Sequence, residues 1–205
     1  MKGLILDFGG VLTTNVFESF KRFSVDEGLE PDHVKRAFRE NPEALALLRR
    51  LEKGELTTDD FEPLFGEQIG VSNTDGLAQR LFQHVGPDER MLDAVRRAHD
   101  GGIRTGLISN SWGEDGMAYD RDQLAELFDA VVISGEVGMH KPEPAIFLLG
   151  AERVGLPPEE CVFVDDLREN CAGAEEVGMT AILHRGPDAT LPELERLLGI
   201  ALGVS

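Results

Sequence analysis

Val162-Phe163-Val164-Asp165-Asp166-Leu167-Arg168-Glu169-Asn170 sets two adjacent acids directly behind a run of bulky apolar residues. The run is continuous rather than alternating, as in a strand buried on both faces of a parallel sheet. Carboxylates at such a tip repel each other and lose solvation, and a bound cation or a nearby base offsets that cost. Capping of a following helix, predicted from Arg168 to Val177, is the other use for such acids, and the two uses are compatible.

Four more runs of the same kind surround this one: Leu4 to Phe8, Ile103 to Ser109, Ala130 to Ser134 and Thr180 to Leu183, with Cys161 to Val164 as the quoted member. From the second run onward they are separated by stretches of helical period, at Asp120 to Phe128, Pro144 to Val154 and Arg168 to Val177. Strand, helix, strand repetition predicts an α/β fold, a Rossmann-like parallel sheet of five or more strands covered on both faces. Between the first and second runs there is no strand-like segment. Helical patterns instead fall at Asn15 to Glu27, Asp32 to Glu40, Pro42 to Glu52, Thr58 to Ile69 and Thr74 to Val85. No compact loop is that long, so residues 14–85 are expected to form an inserted all-helical domain on a core of 1–13 and 86–205. Gly86-Pro87 ends the insertion ahead of a helix from Asp88 to His99.

Composition narrows the function. The 205 residues are 41% hydrophobic and 28% charged, which excludes disordered, collagen-like and disulfide-scaffold chains. Against 38 acids stand 20 lysines and arginines, for a formal charge of -18, so nucleic acid and anionic lipid are unsuitable partners. No apolar run is long enough to span a membrane, and Asp7 interrupts the first one, so neither a membrane span nor a secretory leader fits. A cytoplasmic monomer or homodimer is the expectation. An anionic substrate would then need positive charge supplied locally by a metal, a lysine or helix N-termini. Cys161 and Cys171 match no zinc or CxxC spacing and read as a buried residue and a reduced helix residue.

Ligands of an open parallel sheet bind beyond the carboxyl ends of its strands. The first run ends in Asp7-Phe8-Gly9-Gly10, a carboxylate followed by glycines that let backbone approach a ligand. The second ends in Ser109-Asn110-Ser111, small donors suited to phosphate oxygens or to a helix cap. In Met139-His140-Lys141-Pro142-Glu143-Pro144, Pro142 restricts Lys141 to an extended conformation just before a helix start. Asp165-Asp166 is the fourth signal. Carboxylates on adjacent strands, about 4.8 Å apart, can share one hard cation.

These four, in this order and each behind a strand, resemble the haloacid dehalogenase superfamily, specifically its phosphatase-like branch with a helical cap inserted after the first motif. The resemblance implies that Asp7 is the nucleophile, Ser109 and Asn110 the phosphate-binding pair, and Lys141 the charge-neutralising lysine. It implies Mg2+ held by Asp7, the Gly9 carbonyl, Asp165 and Asp166, with Asp166 the direct ligand, Asp165 acting behind it and Asn170 orienting the group. Gly9 and Gly10 would line the bound phosphate, and the strand bearing Asp7 would lie between those bearing Ser109 and Asp165. The implied reaction is hydrolysis of a small phosphorylated metabolite, sugar phosphates included, through an aspartyl phosphate on Asp7.

One position departs from the pattern. Family phosphatases carry a second Asp two residues after the nucleophile, and here that position is Gly9. Loss of a general acid costs roughly 10²- to 10⁴-fold in rate. Three accounts fit the change: another group supplies the proton, the substrate has a good leaving group, or the protein binds phosphometabolites without turnover. A metal-independent haloacid dehalogenase also lacks that Asp, but gains nothing from Asp165-Asp166, whose charges repel a haloacid. Trp112 and Tyr119 read as packing residues or a substrate-facing pair, and His140 as a solvent-exposed neighbour of Lys141. His33, His84, His99 and His184 read as ordinary surface or helix residues, and Phe17, Phe20, Phe23, Phe38, Phe61 and Phe65 as core of the helical domain.

Overall fold

The computed structural model describes residues 1–111 and 121–203. Five strands, β1 (Gly3–Leu6), β2 (Arg104–Ser109), β3 (Ala130–Ile133), β4 (Cys161–Asp165) and β5 (Thr180–Leu183), form one parallel sheet in the order β3-β2-β1-β4-β5. The order reverses at β1, which pairs with β2 on one side and β4 on the other. This switch point is where the strand tips open a crevice.

Successive strand residues face opposite sides, and both sides are covered. Leu4, Leu6, Leu107, Val162 and Val164 pack with Met91, Ala94 and Leu194 from helices α6 (Glu89–Asp100) and α11 (Pro187–Leu198). Ile5, Ile108 and Phe163 pack with Ile146, Phe147 and Ala174 from α9 (Pro144–Val154) and α10 (Arg168–Glu176). Two more helices complete this body: α7 (Arg121–Leu127) and the single turn α8 (Ser134–Val137), which follows β3 without a break. Cys161 and Cys171 are buried free thiols.

Between β1 and α6 stand five helices: α1 (Val16–Asp26), α2 (His33–Glu40), α3 (Pro42–Glu52), α4 (Thr58–Ile69) and α5 (Leu77–Phe82). They enclose their own apolar cluster, which includes Phe20, Phe23, Val34, Leu51, Phe61, Phe65 and Leu81. Phe65 stacks on Phe38 and on Phe61, with ring centroids 5.0 Å apart in each pair. The chain leaves and re-enters the sheet body side by side: Thr13 bridges Pro87, the Thr14 N–H donates to the Gly86 carbonyl at 2.8 Å, and the Asp88 N–H to the Leu12 carbonyl at 2.9 Å.

Four elements differ from the sequence expectation, the unpredicted single turn α8 being one. The strand predicted over Leu4 to Phe8 ends at Leu6, and Asp7 to Gly10 turn away from the ladder. The helix predicted over Thr74 to Val85 is the shorter α5, entered through Gly76 at φ +62°. Helix α11 is an addition. Its signal was a period of Leu191, Leu194 and Leu198, opened by Pro187 and closed by Gly199.

Candidate active site

The tips of β1 and β4 bring two carboxylates level. Leu6 lies opposite Val164, and the Asp7 N–H donates to the Val164 carbonyl at 2.9 Å, so Asp7 leaves β1 beside the last residue of β4, Asp165. Lys141, from the segment between α8 and α9, reaches both. Its Nζ lies 2.6 Å from Asp7 Oδ1 and 2.8 Å from Asp165 Oδ2, and the side chain is 1% exposed. A buried ammonium between two carboxylates is a fixed charge.

Asp165 has no exposure, and its oxygens are fully engaged. Oδ1 accepts from the Leu167 N–H at 2.8 Å and from Asn170 Nδ2 at 3.0 Å, and Oδ2 accepts from Lys141 and from Asn170 at 3.1 Å. Its bond to Leu167 shapes the turn into α10, and Asn170 on the first turn of that helix holds the carboxylate in place. Asp166, half-buried, lies against the turn after β1. A Cβ on Gly10 would come 2.7 Å from Asp166 Oδ2, and Gly10 has φ +77°, so both the approach and the backbone conformation require glycine there.

Three carboxylates against one ammonium leave the site short of positive charge. Burial pushes the Asp7 carboxyl up to about 7, against the pull of Lys141 and with Asp165 adding to the rise. Burial, and then the charge of Asp165, push Asp166 up to about 6. Burial alone would lower the Lys141 ammonium, but Asp165 and Asp7 outweigh it and hold the group above its ordinary value. Oxygen atoms of Asp7, Asp165 and Asp166 lie within 4.8 Å of one another. With Asp165 committed to Lys141, Asn170 and Leu167, Asp7 and Asp166 keep capacity for a further cation. An all-oxygen, anionic donor set of this kind suits Mg2+.

Ser109 is the last residue of β2, beside β1, and is buried. The Asn110 carboxamide is turned onto the lysine segment: Oδ1 accepts the Lys141 N–H at 2.9 Å, and Nδ2 donates to the Lys141 carbonyl at 3.2 Å. Gly9 sits in the turn between Asp7 and Gly10 with open space around it, its nearest neighbour for an added Cβ being Val16 at 3.5 Å. Two histidines differ from expectation. His140 is buried rather than solvent-exposed, because Glu52 at the end of α3 covers it with an Oε2 2.7 Å from Nε2. His184 is buried behind the site, with Nδ1 2.8 Å from Thr190 Oγ1, its N–H donating to the Asp165 carbonyl at 2.8 Å and its imidazole held below the usual range by burial. Trp112 and Tyr119 lie outside the described residues. Glu52 escaped sequence reasoning because nothing in the run Leu47 to Lys53 distinguishes an acid facing the sheet body from one facing solvent.

The family model of haloacid dehalogenase-like hydrolases matches residues 1–178. The chain belongs to this family. Bifunctional epoxide hydrolase 2 of Mus musculus is 30% identical to it over 213 residues, covering 86% of this chain and 38% of its own. Sesquiterpene phosphatase astK of Aspergillus oryzae is 30% identical over 158 residues, covering 73% of this chain and 78% of its own. The chain spans about a fifth to two fifths of the length of several relatives that it matches, the acyl-CoA dehydrogenase family member 10 and the bifunctional epoxide hydrolases 2. Among solved structures, a family enzyme of Bacteroides thetaiotaomicron in complex with magnesium and inorganic phosphate superposes with a TM-score of 0.67. It is 23% identical and covers 91% of this chain and 96% of that one, a likeness of fold. The chain has the α/β, Rossmann-like fold of the haloacid dehalogenase-like hydrolases, and no helix among the described residues is long and apolar enough to cross a membrane.

Proposed function

We propose that this hydrolase is a Mg2+-dependent phosphatase acting on a small phosphorylated metabolite, with residues 14–85 as a cap over a core of 1–13 and 86–205. The observation that carries the reading is the unbalanced carboxylate cluster. Asp7 and Asp165 share one buried lysine and Asp166 lies with an oxygen within 4.8 Å of theirs, an arrangement that calls for a further cation and repels a haloacid carboxylate. A phosphatase among the relatives supports the same reading.

Asp7 is the nucleophile in this reading, its Oδ1 held by Lys141 and its other oxygen directed toward the substrate. Attack on phosphorus forms the Asp7–phosphate bond and breaks the ester bond to the leaving oxygen, and water then cleaves the acyl phosphate to return Asp7 and release phosphate. Lys141 and the Ser109 hydroxyl stabilise the charge on the transferring oxygens. Asp7 and Asp166, with the Gly9 carbonyl, would hold Mg2+. When bound, the ion supplies Lewis-acid charge stabilisation of the phosphoryl oxygens. Asp165 and Asn170 keep Lys141 oriented. Because Gly9 offers no proton, the reading favours esters whose leaving group departs without one.

The test is phosphate release from an aryl phosphate with and without Mg2+. Release that needs Mg2+ and vanishes in Asp7→Asn is the expected result. Halide release from a 2-haloacid, insensitive to chelator, would replace the reading with a dehalogenase. Saturable binding of a phosphate ester with no turnover would replace it with a binding protein.

A further inference from the structure

A chain of hydrogen bonds joins the end of α3 to the catalytic lysine segment, and its donors and acceptors match in only one way. The Asn110 carboxamide is oriented by Lys141, because Oδ1 must accept the Lys141 N–H. Nδ2 therefore points one hydrogen at the Lys141 carbonyl, 3.2 Å away, and the other at His140 Nδ1, 3.3 Å away. A donor facing Nδ1 requires that nitrogen to be an acceptor, so the proton resides on Nε2, where the Glu52 carboxylate accepts it at 2.7 Å. Glu52 is tied down as well, since the Ser134 hydroxyl donates to its carbonyl; the neighbouring Lys53 pairs separately with Glu143 at 2.6 Å, outside this chain of bonds. His140 and Glu52 are both largely covered, with side chains 11% and 16% exposed.

We propose that Glu52 and His140 are positioning residues for Lys141: Glu52 fixes the Nε2–H tautomer of His140, which fixes Asn110, which holds both backbone groups of Lys141. The helical insertion then contributes to the catalytic machinery directly, in addition to covering it. Among the described residues Lys141 Nζ pairs with Asp7 and Asp165 and lies 5.5 Å from the centre of the Phe163 ring, while its backbone lies in a segment without regular structure, so the Asn110 clamp sets where the ammonium sits. The kinetic half of the proposal rests on the phosphatase reading, and the tautomer half does not.

The test combines spectroscopy and kinetics. In 15N-histidine-labelled protein near neutral pH, with the resonance assigned through His140→Gln, His140 is expected to be protonated at Nε2 and unprotonated at Nδ1. Glu52→Leu is expected to abolish that uniform signature. The same variant should lower kcat on an aryl phosphate roughly tenfold, in line with loss of a partner that orients a ligating or charged group, while KM changes little. Glu52→Gln, which retains an acceptor, should recover most of the loss. Lys53→Met, which removes the adjacent ion pair but not the chain, should retain both the signature and kcat. In an Asn110→Ala background Glu52→Leu should cost almost nothing further, since both act through one path. A proton on His140 Nδ1 in the wild type overturns the proposal whatever substrate is turned over. Independent, multiplying losses from Glu52→Leu and Asn110→Ala overturn it too, and would make Glu52 a clamp between two bodies and nothing more.

Discussion

Two neighbouring glycines do different work at the tip of β1. Gly10 is required by geometry: φ +77° and an Asp166 oxygen 2.7 Å from where a Cβ would stand. Gly10→Ala should therefore displace Asp166 and weaken Mg2+ binding by roughly tenfold or more, as disturbed metal surroundings do, measurable by calorimetric titration. Unchanged affinity would mean that Asp166 is not a ligand. Gly9 is free of such constraint, with ordinary contact to Val16 and no positive φ. Gly9→Asp should fit without strain and raise turnover of alkyl phosphates, which need a proton, by up to about 10²-fold, with much less gain on aryl phosphates. Equal gains on both substrates would show that another acid already acts. Asp7, Asp165 and Asp166 were legible from their places behind apolar runs, and Lys141 from Pro142 beside it just ahead of a helix start. The engagement of Asn110 with Lys141 was not, because a small polar residue at a strand end offers the same atoms to a phosphate and to a backbone. The burial of His140 was hidden for a related reason: it depends on Glu52, 88 residues away in sequence.

At the scale of elements, the sheet was legible because its strands are short continuous runs of Val, Ile and Leu, and the helices of the insertion because Asn15, Asn41 and Thr57 mark starts with side-chain caps. Helix α11 and the short α5 were harder to read, as Pro192 inside the first and the lack of a side-chain cap in the second obscure their period. The insertion owes its shape to a phenylalanine cluster rather than to contacts with the sheet. Phe65 is fully buried between Phe38 and Phe61, so Phe65→Ala should cost about 3–5 kcal/mol by cavity formation. Hydrogen exchange should show the loss of protection concentrated in residues 16–82, with β1, β2 and β4 keeping theirs. Loss spread evenly over the chain would mean that the two bodies unfold as one unit.

For the molecule as a whole, the site trades stability for charge. In the fold Asp7 and Asp166 hold their protons up to about 7 and about 6, where an unperturbed aspartate loses its proton at 3.8. Between those limits the folded state binds more protons than the unfolded one, so ΔG of unfolding for the metal-free protein falls as pH rises from about 4 to about 7. A divalent ion binding the ionised carboxylates offsets the loss, and its binding releases protons. Thermal unfolding with and without Mg2+ should thus show a larger rise in Tm at about pH 8 than at about pH 5; equal rises would contradict the linkage. The formal charge of -18 adds a general repulsion that salt screens, and a monovalent-salt control separates that effect from specific binding.

The most direct measurement is a crystal structure determined with Mg2+ at saturating concentration. An ion held by Asp7, Asp166 and the Gly9 carbonyl, with Lys141 still on Asp165, is the expected result. Asp7 and Asp166 turned apart, with no ion between the ends of β1 and β4, would contradict the account at its foundation.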